Sequence, residues 1–145
     1  MRALLFALSL PLLMPGTAGA ERSQDFGDFV VHFNAFSTTL LSPDVTSAYD
    51  IQRSPYQGLL NVAVQKKVMQ TTGEPVVADV SGTITNLMGQ TQAVKPREIR
   101  ESTAIYYIQS FRITNEETLD FDLQVRPQGA AEPLSVRFKQ QFFVD

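Results

Sequence analysis

Short runs of alternating apolar and polar residues fill the chain from residue 25 onward. In residues 25–36, for example, Phe29, Val31 and Phe33 point to one side while the residues between them point to the other. A period of two is the pattern of a β-strand with one buried face. The pattern predicts seven strands, which lie at residues 25–36, 59–68, 76–86, 92–100, 103–113, 118–126 and 134–139.

Seven short strands with a single helix, and no regular alternation of strands and helices, indicate an all-β domain. We predict a two-layer antiparallel β-sandwich with immunoglobulin-like topology, and an open barrel is the second choice. The chain contains neither Cys nor Trp, so it lacks the disulfide and the buried Trp of antibody domains. The fold prediction therefore depends on the number and pattern of the strands.

Three of the predicted strands carry more specific signals. Gly82 interrupts its strand, which indicates a bulge or a close approach of another backbone. Pro96 cannot donate to a sheet, so residues 92–100 are predicted as an edge strand or a strand with a break. Residues 103–113 are apolar on both faces, which is typical of a central strand.

The last two strands are predicted to form a hairpin, because the loop at residues 127–133 is short and contains Gly129. Matching the apolar faces pairs Val125 with Leu134. That register also places opposite charges across the two strands, Asp122 with Arg137 and Asp120 with Lys139.

A short helix is predicted after the first strand. Ser42 can accept a hydrogen bond from a free backbone N–H, Pro43 suits the first helical position, and Asp44 favours the helix dipole. Turn-forming residues follow as far as Gly58. We expect this detour to close one end of a sheet rather than to form a second layer.

Residues 1–20 have the three parts of a secretory signal peptide. Arg2 supplies the positive start, residues 3–13 form an apolar run too short for the roughly 18 residues of a membrane span, and Ala18 and Ala20 fit a signal-peptidase site. We predict cleavage after Ala20, a single domain at residues 21–145, and no transmembrane anchor afterwards. Export without cysteine fits a bacterial periplasm better than a eukaryotic secretory route, where a small domain more often has disulfides, so the predicted location is periplasmic.

The predicted mature domain has 11 basic and 15 acidic residues, a net charge of about −4. Such a surface gives no long-range attraction to nucleic acid or to anionic lipid. We therefore predict no nucleic-acid partner.

Few residues of the chain suit catalysis or metal binding. His32 is the only His, there is no Cys, and no G-x-S-x-G motif occurs. Zinc and copper sites usually draw on several His, Cys or Met ligands. We predict no catalytic residue, no metal site and no cofactor.

Six polar or aromatic residues flank one loop and could meet at the rim of the sandwich, where a rigid scaffold often carries a binding surface. This predicted binding cluster consists of His32, Asn34, Arg53, Ser54, Tyr56 and Asn61. The alternative interpretation is structural: Arg53 and Asn61 would hold the loop through hydrogen bonds to backbone carbonyls.

The runs HFNAFSTTLLSPDV and AYDIQRSPYQGLLNVAV resemble an exported bacterial family known as domain of unknown function 4426. The resemblance implies a small periplasmic β-rich domain and assigns no catalytic residue. We expect a noncatalytic interaction module that binds a protein, a peptide or an envelope component, and an exposed sheet edge could also pair two copies. The alternative is a small-ligand binder or hydrolase that uses His32 with Arg53 at the loop rim.

Overall fold

The computed structural model describes residues 22–144, which form two antiparallel β-sheets packed face to face. The predicted signal peptide and its cleavage site lie outside the described residues. The elements of the described chain are β1 (Arg22–Asp25), β2 (Phe29–Ser37), a 3₁₀ turn (Thr38–Leu40), α1 (Pro43–Ala48), β3 (Gln57–Lys66), β4 (Glu74–Pro75), β5 (Ala78–Asn86), β6 (Thr91–Val94), β7 (Arg97–Glu101), β8 (Ala104–Arg112), β9 (Glu117–Pro127) and β10 (Leu134–Phe142).

The order of the strands is that of an immunoglobulin-like sandwich. Sheet A has the order β1-β2-β3-β8-β7, with β4 paired to the end of β3, and sheet B has the order β10-β9-β5-β6. Strands β2, β3, β8 and β7 correspond to A, B, E and D of the immunoglobulin fold, and β10, β9, β5 and β6 to G, F, C and C′. The predicted all-β sandwich is confirmed. The described residues contain ten strands rather than seven, since the short β1 and β4 are additions and the predicted strand at residues 92–100 is divided into β6 and β7.

The main core lies between the sheets and is rich in phenylalanine. Phe121 is fully buried, stacks on Phe138 at a centroid distance of 4.5 Å and meets the edge of Phe111 at 5.4 Å. Burying one such side chain contributes roughly 1.5–3 kcal/mol. The inward side chains of the alternating pattern thus hold the two sheets together.

The segment around Pro96 contains a break, and the chain changes sheets there. Residues before Pro96 form β6 at the edge of sheet B, and those after it form β7 at the edge of sheet A. Gln109 of β8 links sheet A to the segment before Pro96, because its side-chain amide donates to the Ala93 carbonyl and accepts from the Lys95 N–H. The open edge of β6 is therefore partly covered by this one side chain.

The predicted hairpin has the expected register. Val125 pairs with Leu134, and Asp122 pairs with Arg137. The guanidinium of Arg137 lies 3.8 Å from the carboxylates of both Asp120 and Asp122. Arg137 is exposed and the two aspartates are only half-buried, so these charges specify the register more than they stabilise the fold.

The detour between β2 and β3 differs from the prediction. Residues 38–56, which we call the strap, cross the outer face of sheet A and cover a second apolar cluster instead of closing one end of the sheet. The outer face needs this cover because β3 and β8 carry apolar side chains on both faces. The cluster joins the strap residues Leu41, Val45 and Ile51 to the sheet residues Phe36, Leu59, Ile99, Tyr106 and Ile108.

The helix within the strap begins as predicted. The Ser42 hydroxyl accepts a hydrogen bond from the Val45 N–H, Pro43 occupies the first turn, and Asp44 lies at its positive end. Helix α1 then runs only from Pro43 to Ala48.

Candidate functional site

Arg53 holds the two arms of the strap together. Its Nε donates to the Leu41 carbonyl at 2.9 Å, and one terminal nitrogen donates to the Thr39 carbonyl at 3.0 Å. Beside it, the Thr38 hydroxyl donates to the Ser54 carbonyl and accepts from the Ser54 N–H, at 3.0 and 2.9 Å. Arg53 and Ser54 of the predicted binding cluster thus belong to the base of the strap.

Asn34 and Asn61 face each other across β2 and β3 on the outer face of sheet A. Both are buried, with 5% and 2% of their surface exposed. Among residues 22–144, the side-chain oxygen of Asn61 has no hydrogen-bond partner. The structure therefore brings these two predicted site residues together, at a place that a large partner reaches only if the strap moves.

His32 lies on β2, on the same outer face, and its Nε2 is 3.2 Å from the side-chain oxygen of Gln65. The side-chain hydrogen bonds of Arg53 in the described residues go to the strap carbonyls of Leu41 and Thr39 and not to His32. A binding role for this cluster stays a prediction, and so does chemistry that needs both side chains.

The far arm of the strap is fixed by Tyr49. Its hydroxyl donates to the Glu101 carboxylate, and its carbonyl accepts from the guanidinium of Arg97. Burial, together with the Glu101 carboxylate, raises the pKa of Tyr49 to about 12. The hydroxyl consequently stays protonated, and able to donate, at every physiological pH.

We expect Arg53→Ala to loosen the strap without unfolding the sandwich. The loss of two hydrogen bonds to carbonyls costs roughly 1–2 kcal/mol. Amide hydrogen exchange should therefore speed up at Thr46, Tyr49 and Ile51, whose N–H groups bond within the strap. Gln52→Ala, at an exposed neighbouring position, is the control; equal exchange in both variants would show that Arg53 does not hold the strap.

Most of the exposed large apolar side chains lie at one end of the sandwich. We call it the distal end: β2, β5, β8 and β10 finish there, and β3, β6 and β9 begin there. Of the six such side chains in residues 22–144, five belong to loops or turns of this end, while Met69 lies at the opposite end. These five, called here the apolar rim, are Leu40, Tyr56, Leu87, Met88 and Phe143, exposed by 47%, 59%, 80%, 80% and 59%.

A cavity of about 360 Å³ opens at the same end. The Ile113 N–H donates to the Tyr56 carbonyl at 3.0 Å, so the rim residue Tyr56 is adjacent in space to the part of the chain that borders the cavity. The lining combines two buried apolar side chains with charged and neutral polar ones: Ile84, Asn86, Gln90, Thr91, Gln92, Arg112, Thr114, Glu117 and Leu119.

Asn86 organises one wall of the cavity. Its side-chain oxygen accepts from the backbone N–H groups of Met88 and Gln90, which fixes the turn between β5 and β6. Its side-chain nitrogen donates to Gln90 at 2.7 Å and to Glu117 at 3.3 Å. One residue thus positions both the exposed turn and the acidic side chain of the cavity.

Sequence reasoning found one of the rim residues, Tyr56, and none of the residues that line the cavity. A signal for the rim was present, because Leu87 and Met88 occupy a turn, where polar residues are usual. The lining residues carried no comparable signal, since they come from separate strand ends that meet only in the folded chain. No helix in residues 22–144 is long and apolar enough to cross a membrane.

Comparison with known proteins identifies relatives by sequence and by fold. A family model described as "Domain of unknown function (DUF4426)" matches residues 23–145. A DUF4426 family protein from Pseudomonas aeruginosa PAO1 superposes with a TM-score of 0.74 at 35% identity, over 86% of this chain and 96% of the other. Comparison with curated proteins gives no match.

Two more distant solved structures share the fold. FetP from uropathogenic Escherichia coli strain F11, expressed recombinantly in the periplasm, aligns with a TM-score of 0.59 at 11% identity, over 86% of this chain and 95% of FetP. The copper-reconstituted P19 protein of Campylobacter jejuni aligns with a TM-score of 0.55 at 8% identity, over 86% and 97% of the two chains. At these identities the likeness shows the fold alone.

Proposed function

The chain belongs to the DUF4426 family, and from this starting point we propose that it is a noncatalytic periplasmic module that binds another protein through the apolar rim. The single observation that carries the proposal is the position of the exposed apolar side chains, which gather at the distal end of the sandwich. Large exposed apolar side chains in one patch are typical of interaction surfaces. Tyr, Phe and Met, three of the four residue types in the rim, are also enriched at protein interfaces.

The charge of the domain favours a protein partner over a lipid surface. The predicted mature chain carries about four more acidic than basic groups. A lipid surface rich in anionic headgroups attracts basic segments and repels acidic ones. The rim itself is uncharged, so a complementary apolar protein surface can cover it without desolvating an ion.

The periplasmic location is supported by two observations. The first twenty residues have the pattern of a cleaved signal peptide and contain no cysteine for lipid attachment. FetP, which has the same fold, was obtained by expression in the periplasm.

We propose no copper site for this chain, although the copper-bound FetP variant and copper-reconstituted P19 share its fold. His32 is the only His, and there is no Cys. In residues 22–144 no group of three or more His, Cys, Asp and Glu side chains could hold a metal ion. Met69 and Met88 lie at opposite ends of the sandwich, so they do not supply a shared pair of soft ligands.

The proposal is tested by matched substitutions of exposed methionines. Tagged wild-type protein, Met88→Glu and Met69→Glu are recovered from the producing bacterium after chemical cross-linking, and the retained proteins are quantified by mass spectrometry. We expect one protein to be retained by the wild type and by Met69→Glu, and its recovered amount to be at least about tenfold lower with Met88→Glu. The reason is that a charge in a desolvated apolar contact costs more than about 1.4 kcal/mol.

Two results would overturn the proposal. Identical sets of retained proteins for all three forms would show that the rim binds none of them. A concentration-dependent dimer that Met88→Glu abolishes would show instead that the rim binds a second copy of the chain.

A further inference from the structure

The cavity at the distal end holds two opposite charges apart. Arg112 and Glu117 both line it, and no ion pair joins them in the described residues. The guanidinium of Arg112 makes no hydrogen bond within residues 22–144, and Glu117 accepts only one, from Asn86. The cavity thus presents one positive and one negative group that can still form ion pairs. Such a pair is suited to a ligand that itself carries both charges.

We propose that this cavity binds a small zwitterion, either a free α-amino acid or a dipeptide. The carboxylate of the ligand pairs with the Arg112 guanidinium, which can donate two parallel hydrogen bonds to it. The ammonium group of the ligand pairs with the free oxygen of Glu117. Ile84 and Leu119, exposed by only 3% and 4%, give the ligand's side chain an apolar floor.

The size of the cavity supports a small ligand. Its volume of about 360 Å³ lies near the lower limit of ligand pockets, which is roughly 300 Å³. The amide side chains of Gln90 and Gln92 add donors and acceptors to the lining, and both can bond to either charged group of the ligand. A long peptide would extend well beyond this volume.

The pair of charges also selects against simpler ligands. An anion without an ammonium group leaves Glu117 unpaired beside the bound negative charge, and a cation without a carboxylate does the same for Arg112. Like charges brought together disfavour binding, most of all beside the half-buried Glu117, whereas Arg112 is exposed. The inference concerns a small molecule and does not depend on the protein-binding role of the rim.

Isothermal titration of the processed, exported protein tests the inference with four probes. L-Leucine and L-leucylglycine are the zwitterions, N-acetyl-L-leucine lacks the ammonium group, and L-leucinamide lacks the carboxylate. We expect both charge-deficient probes to bind at least about tenfold more weakly than the better zwitterion. The calorimeter contains only the purified protein and the probe. A lack of zwitterion binding is therefore distinguishable from failure of the protein-binding proposal.

Variants assign the two charges to their residues. Arg112→Gln should lower the affinity for L-leucine and L-leucylglycine at least about tenfold. Glu117→Gln should lower it by a similar factor and should bring the affinity for N-acetyl-L-leucine closer to that for the zwitterions. Glu132→Gln, at an exposed position outside the cavity, should change nothing. Each variant is first shown to melt like the wild type, and Arg112→Met, which also removes the charge, replaces Arg112→Gln if the latter does not fold.

Three results would overturn the inference. First, the zwitterions could show no heat of binding up to about 10 mM. Their affinity would then be weaker than a dissociation constant of about 1 mM, which corresponds to about −4 kcal/mol. N-Acetyl-L-leucine could bind the wild type as well as L-leucine does, which would indicate a plain anion site. The zwitterions could bind the wild type and both folded cavity variants equally, which would place their site elsewhere.

Discussion

Phe121→Ala is expected to lower the free energy of unfolding by roughly 3–5 kcal/mol, since it removes a fully buried ring from the middle of the core. Phe121 touches Phe138 in a parallel stack and Phe111 and Phe142 through ring edges. Whole domains are stable by only about 5–15 kcal/mol, so this loss is a large fraction of the total. Thermal melting followed by circular dichroism should show a midpoint lower by about 10–20 °C.

Phe143→Ala is the matched control for this prediction, because it removes the same ring from a position that is 59% exposed. Exposed substitutions usually change stability by no more than about 0.5 kcal/mol. If the two variants melted at the same temperature, Phe121 would not lie between the sheets, and the sandwich would be wrong.

Gly82→Ala is expected to cost about 3 kcal/mol or more and to disturb the pairing of β5 with β9. Gly82 has a φ of +152°, and a Cβ at this position would lie 2.1 Å from the backbone oxygen of Asp122 and 2.9 Å from the Cα of Leu123. Backbone atoms of a paired strand cannot move aside alone, so the two central strands of sheet B must separate. Urea unfolding measures the loss directly.

Gly89→Ala separates the effect of crowding from that of backbone conformation. Gly89 also has a positive φ, of +84°, yet a Cβ there would meet nothing within 4 Å. Only the backbone strain remains, which is worth about 1–2 kcal/mol. Equal losses for the two variants would mean that β9 does not approach Gly82 closely.

The sequence predicted the sheets well where the signal is local. Alternation within a strand needs no knowledge of its neighbours, and matching the apolar faces of β9 and β10 was enough to give their register. The close approach at Gly82 was also visible, as a glycine inside a strand pattern. The short strands β1 and β4 escaped prediction because four and two residues are too few for alternation to appear.

The strap was placed wrongly because its apolar residues follow no clear period. Leu41, Val45 and Ile51 are spread over a 3₁₀ turn, a six-residue helix and a loop, so no single face could be identified. The two apolar faces of β8 were visible in residues 103–113, but that β3 lies beside it and shares the same exposed outer face follows only from the way they pair. The candidate site was missed for the same physical reason, since Asn86, Arg112 and Glu117 meet only through the topology.

The most direct measurement of the central claim, that the apolar rim is where a protein partner docks, is site-specific photo-cross-linking in the producing bacterium. p-Benzoylphenylalanine replaces Phe143 of the rim in one strain and Met69, at the opposite end, in another. We expect ultraviolet light to give a discrete heavier adduct with a second protein from position 143 and none from position 69. Adducts from position 69 with none from position 143 would contradict the account.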